Sequence, residues 1–265
     1  LSIGSTIVLF DGSPFYPNSK EMRKLVERLD ISIFGTSAKY IDACRESGMI
    51  PSKFADLSKL RLILSTGSPL VEENYDYVYQ NVKEDVLLGS ISGGTDIISC
   101  FALSNPMLPV TRGELQCKGL GMNVHSFNDK GESLIDEKGE LVCLSPFPSM
   151  PIYFWNDKDG EKYHKAYFDK YPGIWNHGDF ILINDHGGVQ IFGRSDSTLN
   201  PGGIRIGTAE IYRIVEQFDE VEDSLVIGQA WNGDERVILF LKLTKISCIL
   251  FPLTAIIKGK PNFFL

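Results

Sequence analysis

The stretch "LRLILSTGSPLVEENYDYVYQNVKEDVLLGSISGGTD", residues 60–96, decides how the fold is read. "LRLILST" (60–66) and "VLLGSI" (86–91) are short apolar runs bounded by small residues, which read as buried strands. The segment near 71–83 reads as a helix. Strand, helix and strand in succession predict a parallel βαβ unit. Its loops, "STGSPL" (65–70) and "GSISGGTD" (89–96), then leave the carboxyl ends of strands, where an open α/β sheet binds ligands.

The same alternation extends toward the N-terminus. "AKYIDACRESG" (38–48) reads as a helix closed by Gly48, and "ISIF" (31–34) as a short strand. "SKEMRKLVERLD" (19–30) has helical apolar spacing at Met22, Leu25, Val26 and Leu29. "IGSTIVLF" (3–10) reads as another buried strand.

Toward the C-terminus the texture changes near Pro106. From about 110 to 192 the segments are short and β-like: "GELQCKG", "MNVHSF", "GELVCL", "FILIN" and "GVQIFG". Turn sequences such as "NDKG", "DEKG", "NDKDG" and "NDHGG" separate them. The expectation is a small antiparallel sheet or barrel. "NDKDG" lacks the acidic spacing of a calcium loop and is a plain turn. "GRSDSTLNPGGIRIG" (193–207) holds four glycines and a proline, so it is no regular helix. It leads into "TAEIYRIVEQF" (208–218), a helix with Thr208 as cap and Ile211, Ile214, Val215 and Phe218 on one face. "DSLVIGQAW" and "ERVILFLKL" follow as two strands, a hairpin turning at "WNGDE". The fold class is therefore α/β: a partial parallel sheet with helices (1–108), a small antiparallel β-barrel-like subdomain (109–194) and the start of a small α+β C-terminal domain (195–243).

The composition bounds the function. The chain has 265 residues, 43% apolar and 23% charged, with a formal net charge of −8. That balance is globular and excludes a general nucleic-acid binder, which needs a basic face. It leaves room for a local basic pocket around one phosphorylated ligand. Five dispersed cysteines with no CxxC argue against a disulfide framework and for a reducing compartment, the cytosol. No HxxxH or HExxH pair suggests zinc. The apolar run "ISCILFPLTAII" is too short to span a bilayer, so no membrane partner is expected.

Generic motifs fail. A GxxxxGK[ST] loop is absent, "GLGMNV" (119–124) ends in Val124 where a dinucleotide fingerprint needs glycine, and "GSISG" (89–93) misses GxSxG by one position. What remains is a set of small-residue loops with a few polar groups. Thr95 offers a hydroxyl to a phosphate. Asp179, after a glycine in "WNHGDF" (175–180), can accept two hydrogen bonds from a ribose diol. Arg194 and Arg205 can hold ribose or phosphate oxygens.

Taken together, "GGTD", "RGELQCKG", "WNHGDF" and "GRSDSTLNPGGIRIGTAEIY" resemble the adenylate-forming enzymes: acyl-CoA synthetases, adenylation domains and luciferases. Within them, "ILSTGSPL", "LLGSISGGTDIISCF", "KAYF", "PGIWNHGD", "GTAEIY" and "VEDSL" are similar to the acetoacetyl-CoA synthetase family, over residues 1 to about 243. The resemblance implies a two-step ligase. ATP and acetoacetate form an acyl-adenylate and pyrophosphate, and the thiol of coenzyme A then displaces AMP. It also implies a role in lipid synthesis from ketone bodies. Its partners are the small molecules acetoacetate, ATP and CoA. An alternative keeps the fold and changes the acid to another short-chain one. A further alternative is a truncated, non-catalytic form.

The resemblance also implies site roles. Gly67, Ser68 and Pro69 border the adenine, and Gly94 and Thr95 lie by the ring and phosphate. Asp96 stands where many relatives have a glutamate able to hold Mg²⁺, one methylene shorter. Asp179 binds the ribose hydroxyls, Arg194 the ribose or phosphate, and Arg205 the phosphate. Asp196 is the hinge, although the Asp that often follows it is Ser197 here. Gly93 stands where acetate-specific relatives have a tryptophan closing the acyl pocket, and so widens that pocket. The family's phosphate loop and its C-terminal adenylation lysine do not occur within the 265 residues, and "TKISCILFPLTAIIKGKPNFFL" (244–265) diverges from the pattern. The expectation is a fragment that by itself makes no adenylate.

Overall fold

In the computed structural model, β1 (Ile33–Ser37), β2 (Leu62–Thr66) and β3 (Leu87–Ser90) form a parallel sheet in the order β1-β2-β3. The structure describes residues 3–195, 198–199, 206–215, 217–218, 220–231 and 234–244. The chain forms two compact units, divided after Gly119.

The first unit is built on that sheet. Its helices are α1 (Glu21–Arg28), α2 (Ala38–Glu46) and α3 (Glu72–Tyr77), the last continued by a π-helical turn over Val78–Val82. Ser37 ends β1 and caps α2, its Oγ accepting from the Tyr40 N–H. Gly48, at φ +66°, takes the left-handed conformation that stops α2. Apolar residues recurring on the helices and on the strands meet in one core, in which Ile41, Leu60, Ile63 and Val78 are wholly buried. An antiparallel sheet of β4 (Ser92–Gly94), β5 (Ser99–Leu103) and β6 (Cys117–Lys118) completes the unit.

Two features depart from the sequence reading. "IGSTIVLF" forms no strand, and Ile3, Ile7, Val8, Leu9 and Phe10 are exposed. β-propensity reports packing against neighbours rather than an intrinsic backbone preference, and none of the described strands pairs with this segment. The second feature is Arg23 on α1, placed on the buried face beside Met22 and Val26 and wholly buried. Its guanidinium lies over the rings of Phe34 and Tyr40, at 4.8 and 5.4 Å, and none of its nitrogens has a hydrogen-bond partner. A buried ion without hydrogen bonds is costly, and cation–π contact offsets part of that cost. The Arg23→Met variant, similar in length and uncharged, is expected to unfold in urea at or above the parent's midpoint. A clearly lower midpoint would show that the stacked cation stabilises the core.

The second unit holds an antiparallel sheet of β7 (Val124–Phe127), β8 (Ser133–Leu134), β9 (Gly139–Cys143), β10 (Trp175–Ile183) and β11 (Val189–Arg194), in the order β11-β10-β9-β7-β8. Of the antiparallel sheet or barrel expected, the structure has the sheet. The sheet is open, because β8 and β11 occupy opposite edges, and no closed barrel occurs among the described residues. The short helix α4 (Glu161–Tyr167), for which the sequence reading gives no element, packs next to β10. β12 (Thr198–Leu199) pairs with β13 (Ile206–Gly207), which leads into α5 (Thr208–Val215). Thr208 is the first helical residue rather than the cap. The Glu210 carboxylate instead accepts the Gly207 N–H. β14 (Val221–Trp231) and β15 (Asp234–Leu243) form the antiparallel hairpin expected from their sequences. Cys44, Cys100, Cys117 and Cys143 are free thiols. No described helix is long and apolar enough to cross a membrane.

Candidate functional site

In the first unit the parallel register does the positioning. β2 and β3 are adjacent and parallel, so the loops after them emerge at one sheet edge. The Ile91 N–H donates to the Ser65 carbonyl and ties the two exits together. Gly67 follows at φ +89°, a conformation that favours glycine, with Ser68 and Pro69 half-buried after it. Beyond β3 the chain turns into β4, and Gly94 accepts from the Ile97 and Ile98 N–H groups in the turn to β5. Thr95 and Asp96 sit exposed on that turn, with Asp96 Oδ1 accepting from the Ile97 N–H at 3.1 Å. Gly67, Ser68 and Pro69 are thus carried by the loop after β2, whereas Gly94, Thr95 and Asp96 lie at the β4–β5 turn, one short strand beyond the exit of β3.

Gly93 lies in the β4–β5 pair opposite Cys100. A Cβ added there would stand 2.0 Å from the Ser99 carbonyl oxygen and 2.9 Å from Cys100 Cα. The glycine lets two backbones approach more closely than any other residue permits.

In the second unit, Asp179 and Arg194 are direct cross-strand partners on β10 and β11. Asp179 is buried and Arg194 exposed, with Arg194 Nη1 3.5 Å from Asp179 Oδ1. Nη1 also donates to the His177 carbonyl at 3.1 Å, and His177 Nε2 lies 3.8 Å from Asp179 Oδ2. Gly178, at φ +77°, sits where β10 loses register against β9, between Asn176 and Phe180, and β10 shifts against β11 just beyond it, between Asp179 and Ile181. Such a bulge re-aims side chains and is common next to binding sites. Here it accompanies an acceptor and a cation side by side, a pair able to take hydroxyls and an anionic oxygen.

The sequence reading gives Glu140, on β9, no role beyond its strand. It is buried, and both its oxygens are used: Oε1 accepts from Lys170 Nζ at 2.7 Å and Oε2 from Ser195 Oγ at 2.6 Å. Burial works to lower the Lys170 ammonium, but the Glu140 and Asp129 carboxylates outweigh it and hold its pKa above the ordinary value. The signal for Glu140 was weak, because one glutamate in a strand usually marks a solvent face. All five residues of β9 are buried. Asp196, Arg205, Gly202 and Gly203 lie outside the described residues. Among the described residues, no group of three or more His, Cys, Asp or Glu side chains is placed to hold a metal ion.

No protein-family model matches the chain. It is 56% identical over 245 residues to the acetoacetyl-coenzyme A synthetase of Rhizobium meliloti (strain 1021), covering 92% of this chain and 38% of that protein. It is similar to the structure of the acetoacetyl-CoA synthetase from Streptomyces lividans, with TM-score 0.83 and 46% identity over 91% of this chain and 37% of that one. The anthranilate CoA ligase AuaEII, solved with anthranoyl-AMP, shares the fold at TM-score 0.71, 21% identity and 91% of this chain. The chain spans little more than a third of the length of the acetoacetyl-CoA synthetases that it matches. Over that span, and over nine-tenths of its own residues, it is a homologue of the acetoacetyl-CoA synthetases, with the fold of the adenylate-forming acyl-CoA ligases.

Proposed function

We propose that the chain carries part of the site of an acetoacetate–CoA ligase. In the first step a carboxylate oxygen of acetoacetate attacks the α-phosphorus of ATP and pyrophosphate leaves. In the second, the sulfur of CoA attacks the acyl carbonyl and AMP leaves, giving acetoacetyl-CoA. The observation that carries this reading is the sequence identity to acetoacetyl-CoA synthetases, more than half over nearly the whole chain. The side-by-side Asp179 and Arg194 support its nucleotide half.

In this reading Asp179 accepts from the ribose hydroxyls, and Arg194 faces the ribose or phosphate oxygens. Arg205 reaches the phosphate, and Asp196 is the hinge of a domain movement. Gly67, Ser68 and Pro69 border the adenine, Gly94 and Thr95 the ring and phosphate, and Gly93 the acyl group. Mg²⁺ is commonly held by one or two carboxylates together with substrate phosphates. The single exposed carboxylate of Asp96 fits that mode, and the ion would neutralise phosphate charge. The segments 1–108, 109–194 and 195–243 serve as the two parts of a large domain and the start of a small one. A cytosolic place in lipid synthesis from ketone bodies belongs to the same reading.

The test is AMP binding by calorimetry. Hydrogen bonds to a charged group contribute about 1.5–3 kcal/mol, so the Asp179→Asn variant is expected to weaken AMP binding by about tenfold or more. Equal affinity in parent and variant would remove Asp179 from the nucleotide site. Acetoacetyl sulfamoyl-adenosine, a stable mimic of the adenylate, is expected to bind more tightly than its acetyl counterpart. The reverse order would point to a different acid.

A further inference from the structure

We propose that Glu140 is a positioning residue, which through Ser195 holds the Asp179–Arg194 pair in its binding geometry. The inference rests on the nucleotide reading for its purpose, but not for its geometry. Glu140 stands opposite Phe180, the residue after Asp179, in the β9–β10 pair. Its Oε2 accepts the Ser195 hydroxyl at 2.6 Å. Ser195 directly follows Arg194, and its N–H donates to the Gly178 carbonyl at 2.8 Å. Gly178 in turn precedes Asp179. The carboxylate thus reaches from the β9 strand to the end of β11, and its partner residue closes onto the bulge that carries Asp179. Each binding residue therefore has a neighbour in the chain fixed by this link: Arg194 has Ser195, and Asp179 has both Gly178 and Phe180.

The geometry explains why the acid is buried and ionic rather than apolar. Lys170 neutralises Glu140 through Oε1 at 2.7 Å, and Asp129 lies 3.2 Å from Lys170 on the other side. A replaceable structural ion pair would need only Lys170 and Glu140. Here the second oxygen is spent on a hydroxyl beside the candidate site. Against β9 the pairing of β10 is interrupted between Asn176 and Phe180, so that ladder does not hold Gly178 and Asp179, and the Ser195 N–H on the Gly178 carbonyl extends the β10–β11 pairing one residue beyond Asp179 and Arg194.

The test uses the 265-residue chain and three variants: Ser195→Ala, Ser195→Thr and Glu140→Ala. The readouts are hydrogen exchange of the Ser195 amide, AMP affinity and melting temperature. Ser195→Ala leaves the Glu140–Lys170 pair intact, so its melting temperature is expected to fall by only about 2–4 °C. Loss of one hydrogen bond contributes about 1 kcal/mol, so its Ser195 amide should exchange about fivefold faster and AMP should bind about fivefold more weakly. Ser195→Thr keeps a hydroxyl and should restore both. Glu140→Ala should reproduce both losses, together with a lower melting temperature. Unchanged exchange and affinity in Ser195→Ala would overturn the proposal, as would a fall in stability alone in Glu140→Ala. If the parent binds no AMP, the nucleotide reading fails separately. The amide exchange of Ser195 then decides the link by itself, rapid exchange in Ser195→Ala upholding it and parental exchange refuting it.

Discussion

Replacing Gly93 with alanine should lower the stability of the first unit by about 3 kcal/mol or more, read as an earlier midpoint in urea unfolding. The added methyl carbon would stand 2.0 Å from the Ser99 carbonyl oxygen, far inside van der Waals contact. The obstacle is backbone on β5, so no rotamer change relieves it. The two strands must separate, and the Gly93–Cys100 and Gly94–Ser99 pairs must be lost or rebuilt. Phe101 and Ala102, both wholly buried on β5, would move with them. The same geometry bears on the acyl pocket. A Gly93→Trp variant is the obvious attempt to narrow acid choice toward acetate. The expected outcome is an unfolded or reshaped hairpin, not a simple narrowing. Gly93→Ala is the cleaner probe because it adds one carbon and changes no polarity. If that variant unfolds with the parent, the hairpin yields more easily than its backbone contacts imply, and Gly93→Trp becomes a fair test of acid choice.

Gly93 also shows where sequence reasoning stops. By resemblance it marked space for a substrate, because a tryptophan is absent. A glycine in a strand can equally mark a close approach of another backbone, and only the pairing with Cys100 shows that approach here. The parallel core was more legible. "LRLILST" and "VLLGSI" became β2 and β3 because both are apolar runs with small residues where the strands end, and Ile63 and Leu88 are buried in them. "IGSTIVLF" carries the same local signal and forms no strand, because periodicity shows what a segment can pair with but supplies no partner. Asp179 and Arg194 were legible through the glycine beside each, Gly178 and Gly193, both at positive φ. Their register as direct neighbours was not legible, since β10 shifts its register against β11 between Asp179 and Ile181. Glu140 was missed for the related reason that a sheet covered on both faces does not alternate.

The largest loss in the second unit is expected from Trp175→Ala, about 3–5 kcal/mol. Trp175 opens β10 and is 1% exposed. Its ring stacks on Tyr167 at 3.7 Å between centroids and 14° between planes. Phe147 and Phe168 meet it edge-on at 5.3 and 6.0 Å, and Tyr163 at 6.4 Å. The helix α4 has no fully buried residue of its own, so these rings hold much of it in place. Tyr163 and Tyr167 stand four apart, on one face of that helix and over Trp175, a spacing that the sequence displays. The indole Nε1 is buried without a hydrogen-bond partner. Trp175→Phe therefore removes an unsatisfied donor along with part of the ring, and should cost less than half of what Trp175→Ala does. The two variants separate packing from hydrogen bonding in one urea series. The alanine variant should also lose near-ultraviolet circular dichroism from the stacked rings and expose α4 to proteolysis before the rest of the unit unfolds. Because Trp175 lies two residues before His177 and four before Asp179, loosening this end of β10 should weaken AMP binding even at temperatures where the chain remains folded. Unaltered AMP affinity in a folded Trp175→Ala variant would show that the bulge around Gly178, together with the Glu140–Ser195 link, positions Asp179 independently of the aromatic cluster.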